Sequence, residues 1–116
     1  MAKIDVLGTG RIDDRESAFP MAVQLPDGEI LCSYGVGGGA LVTGGTDWSR
    51  STDDSATWKV EGTLLPKDNA RNRANFLKLS LAPDGQTVYA YGQWIDADTS
   101  QQFGARESGT LLCRSV

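Results

Sequence analysis

Two copies of one short pattern constrain the fold of this chain more than any other feature. Pro26-Asp27-Gly28 and Pro83-Asp84-Gly85 are 57 residues apart, and each lies between two runs in which apolar and polar residues alternate. Pro and Gly occupy the positions that tight turns favour, and the alternation is typical of strands with one buried face. Each copy therefore predicts a β-hairpin, and the repeat predicts two units of similar architecture.

The two units share more than the turn. At the same offset Phe19 matches Phe76 and Tyr34 matches Tyr91, and a period of about 50 residues is typical of β-propeller blades. Helical periodicity is nearly absent, so the expected class is all-β, built from antiparallel four-stranded propeller blades. The predicted strands cover residues 3–7, 19–25, 29–35, 46–50, 57–61, 75–81, 86–93 and 109–115.

The spacing of these strands predicts the domain organisation. Residues 1–10 hold an N-terminal strand that would complete the last blade of a closed ring, 11–65 form one blade, and 66–116 form a second blade that lacks its fourth strand. Two blades cannot close a ring, and open sheet edges invite further pairing. We therefore expect a longer parent protein to supply the missing blades, with a self-contained fold of two β-sheets as the alternative.

Charge and hydropathy exclude several classes of partner. The net charge is −4, and no run of Lys or Arg stands out, which argues against nucleic acid and anionic membranes as partners. No apolar run approaches the roughly 18 residues that a spanning helix needs. The N-terminus has no signal-peptide pattern. The default expectation is a cytoplasmic protein, and secretion of a longer parent protein stays open.

The residue types also limit the chemistry. The chain has no His, which removes the commonest general base and the commonest neutral metal ligand. Cys32 and Cys113 lie in apolar, strand-like runs, which favours buried free thiols over a disulfide. We therefore expect no metal site and no cofactor.

The stretch Ser51–Trp58 predicts a tight hairpin tip, because Asp53, Asp54 and Ser55 are residues that bond to nearby backbone N–H groups. Its order, Ser-x-Asp-x-small-x-Thr-Trp, resembles the Asp-box, or BNR repeat, of sialidases and related propellers. The resemblance implies that the Asp accepts backbone hydrogen bonds, that a small residue takes a position with positive φ, and that the Trp packs between strands. The implied structural positions are Ser51, Asp53, Ser55, Thr57 and Trp58.

Antiparallel connectivity places the short turns at one end of the blades and the long polar loops at the other, where binding sites are commonly built. Arginines on these loops suit a carboxylate, which they bind with two parallel hydrogen bonds. The aromatic residues Tyr34, Tyr91 and Trp94 are candidates for stacking on sugar rings, and packing in the core is the alternative. The candidate ligand residues are Arg15, Glu16, Arg71, Arg73 and Asn75; solvated loop charges with local ion pairs are the alternative.

Similarity to sialidase-like propellers covers most of the chain and implies a six-bladed ring. In active members it also implies exo-sialidase chemistry, with an arginine cluster on the sugar carboxylate and a Tyr nucleophile. This sequence has Ala18-Phe19-Pro20 where sialidases usually have Arg-Ile-Pro. No catalytic residue can therefore be assigned. A parent glycoside hydrolase acting on sialic-acid-type glycans and a non-catalytic propeller that binds a glycan or a protein both stay open.

Overall fold

The computed structural model describes residues 2–115, without the side chains of Ala40 and Phe103. It confirms the all-β class. Seven strands form in chain order: β1 (Ser17–Gln24), β2 (Ile30–Val36), β3 (Thr46–Ser51), β4 (Lys59–Leu65), β5 (Arg73–Leu81), β6 (Val88–Asp96) and β7 (Ser108–Arg114). Short 3₁₀ turns cover Gly39–Leu41 and Phe103–Ala105. Among residues 2–115, no helix has the length and apolar character that crossing a membrane would require.

The strands form two antiparallel sheets, each a simple meander. Sheet one has the order β1-β2-β3-β4, and sheet two has the order β5-β6-β7. The predicted strand at 57–61 begins later than expected, at Lys59, and ends later, at Leu65. It begins later because the Thr57 N–H is bonded to the side chain of Asp53. It ends later because Leu65 still pairs with Thr46 of β3.

The predicted strand at residues 3–7 does not form, and this prediction is wrong for the described chain. Residues 2–16 contain no strand, and Ile4, Val6 and Leu7 are 89%, 80% and 99% exposed. A strand needs a neighbour that satisfies its backbone N–H and C=O groups. Among the described residues no neighbouring strand pairs with this segment, so its alternating pattern alone does not produce a ladder.

The main hydrophobic core lies between the two sheets. Leu31 of sheet one and Leu77, Leu79 and Ala90 of sheet two are buried there, and Trp48 packs against them. A hydroxyl crosses the same interface, because Ser33 Oγ donates to the backbone oxygen of Leu77 at 2.8 Å. Full burial of each large aliphatic side chain contributes about 1.5–3 kcal/mol. The packing therefore joins the two repeats into one body.

The two repeats differ by one residue in their first turn. Leu25 N–H donates to the oxygen of Glu29, whereas Ala82 N–H donates to that of Thr87, so the second turn is one residue longer. Tyr34 therefore corresponds to Gly92, and the expected match between Tyr34 and Tyr91 is wrong. Successive side chains of a strand point to opposite faces of its sheet. The additional residue therefore places Tyr91 on the face of sheet two opposite to the one that a match with Tyr34 implied.

The stretch Ser51–Trp58 forms the tight turn between β3 and β4. Asp53 Oδ1 accepts the N–H of Thr57 at 2.9 Å, and Ser51 Oγ accepts that of Ser55 at 2.9 Å. The Thr57 hydroxyl also donates to Asp53. The hydrogen bonds that Asp53 accepts, that of the Thr57 hydroxyl foremost, hold the pKa of Asp53 below its ordinary value. Ser55 has φ 67°, as predicted for the small position.

Trp58 does not pack as the sequence predicted. It lies just before β4, is half-buried, and lines shallow clefts on the turn rather than the core between the sheets. Trp48, ten residues earlier on β3, is the tryptophan that packs against the core. The difference arises because Trp48 lies within the ladder and faces sheet two, whereas Trp58 still belongs to the turn.

The long loops meet at the end of the sheets opposite these turns. Asn75 N–H donates to the oxygen of Gly44 at 3.0 Å, and Ala97 N–H donates to that of Asn72 at 2.9 Å. The first bond connects the loop at 37–45 to β5, and the second connects the loop at 66–72 to that at 97–107. A second small cluster of Val42, Ala74, Ile95 and Ala97 is buried beneath them. The short turns therefore lie at one end of the two sheets, which we call the turn end. The long loops lie at the opposite end, which we call the loop end.

Candidate functional site

An open cleft of about 300 Å³ lies at the loop end, beside the start of β5. Its walls come from the loop at 66–72, from β5 and β6, and from Leu111 of β7. It contains three of the predicted ligand residues, Arg71, Arg73 and Asn75, together with Trp94. We call it the arginine cleft. It brings together two of the predicted arginines, Arg71 and Arg73, and one of the predicted aromatic residues, Trp94.

Arg73 and Trp94 form the centre of the arginine cleft. The guanidinium carbon of Arg73 lies 3.7 Å from the centroid of the Trp94 ring, which is the geometry of a cation–π contact. The two side chains meet because Arg73 pairs with Asp96 and Asn75 pairs with Trp94, which puts them at adjacent positions on one face of sheet two. Within the described chain, Arg73 forms no ion pair with a carboxylate.

Arg71 lies at the rim and is held by its own loop. Asp68 and Arg73 exchange two backbone hydrogen bonds of 2.9 Å, which close the loop as a tight turn. Asp68 Oδ1 accepts the N–H of Arg71 at 3.1 Å, and its other carboxylate oxygen lies 3.4 Å from Arg71 Nη1. The Arg71 side chain is 69% exposed, so this ion pair is screened by solvent and leaves the guanidinium accessible.

Asn75 lies in the wall of the cleft, and its side-chain oxygen and nitrogen are already hydrogen-bonded to other residues of the chain. It is 3% exposed, and its Oδ1 accepts the hydroxyl of Thr46 at 2.7 Å. Its Nδ2 donates to the backbone oxygens of Leu65 and Pro66 at 3.3 and 3.0 Å. Asn75 therefore fixes the path of the chain from β4 into the loop rather than offering free groups to a ligand.

The position of the Trp94 ring requires a residue without a side chain at position 109. A Cβ atom at Gly109 would overlap Nε1 of Trp94 and would lie 2.6 Å from Cε2. The indole lies on the backbone of β7 because Gly109 pairs directly with Trp94. The sequence alone did not reveal this role, because a glycine at a strand end is also typical of a turn.

Replacing Gly109 by alanine is expected to displace the Trp94 ring and to destabilise the protein by about 1–3 kcal/mol, since the new methyl group overpacks the contact. The measurement is the indole Nε1–H resonance of Trp94 together with denaturant unfolding. Gly10→Ala is the control, because a Cβ at Gly10 has nothing within 4 Å. An unchanged indole resonance in the Gly109→Ala protein would contradict this role.

Arg15 and Glu16 do not join the arginine cleft. Arg15 Nη2 lies 2.5 Å from Asp13 Oδ2 and 2.8 Å from Asp47 Oδ2, on the face of sheet one that is turned away from sheet two. Glu16 is exposed and lies beside the loop near Gly39. The predicted convergence of these two residues with Arg71 and Arg73 is therefore wrong, because the two loops lie on opposite sides of sheet one.

The Arg15 side chain, which is 51% exposed, covers a polar network whose other members are buried or half-buried. The Tyr34 hydroxyl donates to Asp13 Oδ2 at 3.0 Å and lies 2.6 Å from Ser49 Oγ. The Arg15 side chain holds the pKa of Asp13 well below its usual range, and burial raises the pKa of Tyr34. Arg15 is thus satisfied by two carboxylates, which makes it a structural residue that ties residues 13–15 to sheet one.

The remaining sequence predictions fall outside the cleft. The positions Ser51, Asp53, Ser55, Thr57 and Trp58 all lie at the turn end, opposite the arginine cleft. Both cysteines are free thiols: Cys32 is buried, and Cys113 is half-buried. Within residues 2–115, no group of His, Cys, Asp and Glu side chains is placed to hold a metal ion.

The chain matches no protein-family model, no curated protein and no solved structure.

Proposed function

We propose that the two sheets are adjacent blades of a sialidase-like β-propeller and that the arginine cleft binds a carboxylate-bearing glycan. The observation that carries the binding proposal is Arg73, whose guanidinium stacks on Trp94 and has no ion-pair partner in the described chain. Stacking orients the planar guanidinium, and this orientation suits the two parallel hydrogen bonds that a carboxylate accepts.

The composition of the arginine cleft supports an acidic sugar over a simple inorganic anion. Trp94 and Leu111 supply an apolar wall beside the cation, and sugar rings present apolar C–H faces to such walls. Arg71 at the rim is placed to contact a second polar group. A ligand that carries both a carboxylate and a ring would use all of these side chains.

The blade proposal rests on the repetition within the fold. Each meander begins with a hairpin whose turn contains Pro-Asp-Gly, and the two sheets pack face to face. The Ser51–Trp58 turn supports a sialidase-like relationship through its Asp53 hydrogen bonds. A propeller needs several such sheets around an axis, so the ring requires sheets beyond these two.

Binding is proposed for this chain rather than hydrolysis. The carboxylate in the arginine cleft, Asp68, is committed to the backbone and side chain of Arg71. Tyr34, which does have a carboxylate neighbour, lies on the far face of sheet one. Exo-glycosidase activity is therefore a proposal only for a longer parent propeller, in which other blades would bring the reacting groups.

The test is a titration with sialyllactose, followed through the Trp94 indole resonance, with neutral lactose as the matched ligand. We expect saturable shifts with sialyllactose alone. Arg73→Ala should weaken binding at least about tenfold, because a hydrogen bond to a charged group contributes about 1.5–3 kcal/mol. Arg73→Lys should recover only part of the affinity, since Lys cannot bind a carboxylate bidentately.

Arg11→Ala is the control variant for this titration, because Arg11 is exposed and lies outside the arginine cleft. It removes the same charge and should leave the affinity unchanged. Equal binding of lactose and sialyllactose, or full affinity in the Arg73→Ala protein, would overturn the proposal.

A further inference from the structure

The loop at one wall of the arginine cleft places a carboxylate beside the two arginines. Asp68 and Arg73 pair directly across this loop through two backbone hydrogen bonds of 2.9 Å. Side chains of directly opposite residues in an antiparallel pair lie on the same side of it, with Cβ atoms about 4.5–5.5 Å apart. Both residues line the cleft, yet within the described chain Asp68 forms its ion pair with Arg71 and not with Arg73. The Asp68 carboxylate therefore lies near the proposed carboxylate-binding group without neutralising it.

The Asp68 side chain is fixed by Arg71 and still accessible from the cleft. Its Oδ1 accepts the N–H of Arg71 at 3.1 Å, and its Oδ2 lies 3.4 Å from Arg71 Nη1. These two contacts use two of the roughly four acceptor sites of a carboxylate. The Asp68 side chain is 37% exposed, so the remaining sites are within reach of a bound ligand.

The charges that line the arginine cleft leave a small positive excess. Within the part of the chain that the structure describes, the charged lining residues are Asp68, Arg71 and Arg73. Two guanidinium groups and one carboxylate give one net positive charge, which a single ligand carboxylate balances. A second anionic group on the same ligand would meet Asp68 without a further cation to offset the repulsion.

We propose that Asp68 determines the charge selectivity of the arginine cleft, which admits a sugar with one carboxylate and rejects a sugar that also carries a phosphate. The inference rests on the proposed binding of a ligand carboxylate by Arg73. Asp68 acts in two ways, because its carboxylate accepts a hydrogen bond from a sugar hydroxyl and repels an anion at the same position. A dianionic phosphate has acceptors alone and cannot donate that hydrogen bond. Rejection by an unfavourable charge is a common source of specificity.

A purely structural role for Asp68 is the alternative, and the chemistry of the side chain separates the two. The loop depends on Oδ1, which accepts the N–H of Arg71. Asparagine keeps an acceptor oxygen at this position and removes the negative charge. Asp68→Asn should therefore preserve the loop and change the selectivity, whereas a structural role predicts no change in selectivity.

The test compares glucuronic acid with glucuronic acid 1-phosphate, two ligands that share one ring and one carboxylate and differ in the phosphate. Both titrations are followed through the Trp94 indole resonance. The wild-type protein should bind glucuronic acid more tightly than its 1-phosphate. Asp68→Asn should shift the ratio of the two dissociation constants by roughly tenfold in favour of the phosphate, the effect of removing one nearby like charge from a half-exposed site. Asp68→Glu keeps the charge and should keep the wild-type preference.

Asp14→Asn is the matched control, because it removes the same charge from a side chain that is 91% exposed and lies outside the arginine cleft. It should leave the ratio unchanged. An equal shift in Asp14→Asn and Asp68→Asn would overturn the inference, since the effect would then come from net charge alone.

The outcomes also separate this inference from the proposed function. Carboxylate binding with an unchanged ratio in Asp68→Asn would overturn the role of Asp68 and leave the proposed function intact. A wild-type protein that binds the 1-phosphate as tightly as glucuronic acid would do the same, and this measurement needs no variant. A wild-type protein that binds neither these ligands nor sialyllactose would overturn both.

Discussion

Replacing Gly92 by alanine is expected to destabilise the protein by about 3 kcal/mol. Gly92 pairs with Leu77 in the centre of sheet two. A Cβ atom at this position would overlap the backbone oxygen of Phe76 and would lie 3.1 Å from the Cα of Leu77. Because the obstructing atoms belong to the backbone of β5, they cannot move without breaking the β5–β6 ladder, and overpacking of this kind is costly.

Equilibrium unfolding in urea measures this loss, and Gly104→Ala is the matched control. Gly104 is exposed within the 3₁₀ turn Phe103–Ala105, and a Cβ at Gly104 has nothing within 4 Å. The control should change the free energy of unfolding by no more than about 0.5 kcal/mol. Equal stability of the two alanine variants would contradict the close approach of β5 and β6 at Gly92.

Replacing Arg106 by alanine is expected to lower the free energy of unfolding by about 3 kcal/mol. Arg106 is 7% exposed, and its guanidinium donates to the backbone oxygens of Leu41 at 2.6 Å, Asp96 at 3.1 Å and Val42 at 3.5 Å. It joins the loop at 37–45 to the loop at 97–107. Its removal leaves buried and partly buried carbonyl groups without their charged donor, which costs more than loss of a surface contact.

Thermal unfolding and amide hydrogen exchange in the two loops test the role of Arg106. Arg106→Lys should recover only part of the stability, because a single ammonium group cannot reach carbonyls on both loops with the planar geometry of Arg. Arg11→Ala removes an exposed arginine and should be nearly neutral. Faster exchange confined to the two loops is the expected signature, and unchanged exchange would contradict the role.

Much of the fold could be predicted from local sequence. Alternation and turn chemistry around Pro26-Asp27-Gly28 and Pro83-Asp84-Gly85 identified two hairpins, because a tight turn fixes which residues pair across it. The same reasoning placed the Ser51–Trp58 turn, and the resemblance to the Asp-box implied the positive φ of Ser55. These features depend on residues that are close together along the chain.

The candidate site was predicted only in part. Arg71, Arg73 and Asn75 share one loop and strand, so their proximity follows from the sequence, and the tertiary structure adds Trp94. Arg15 and Glu16 were expected beside them because the two loops have equivalent positions in the repeat. Equivalent positions on successive sheets are separated by a whole sheet, however, and Arg15 bonds to Asp13 and Asp47 instead.

The sequence by itself determined seven of the eight predicted strands, with their turns and their order, because these depend on alternation and on residues with restricted backbone angles. The tertiary structure decided which tryptophan is in the core and which arginines meet. One additional residue in the Ala82–Thr87 turn moves Tyr91 to the opposite face from the one expected. Such outcomes depend on register and on packing between distant segments, and no local pattern specifies either.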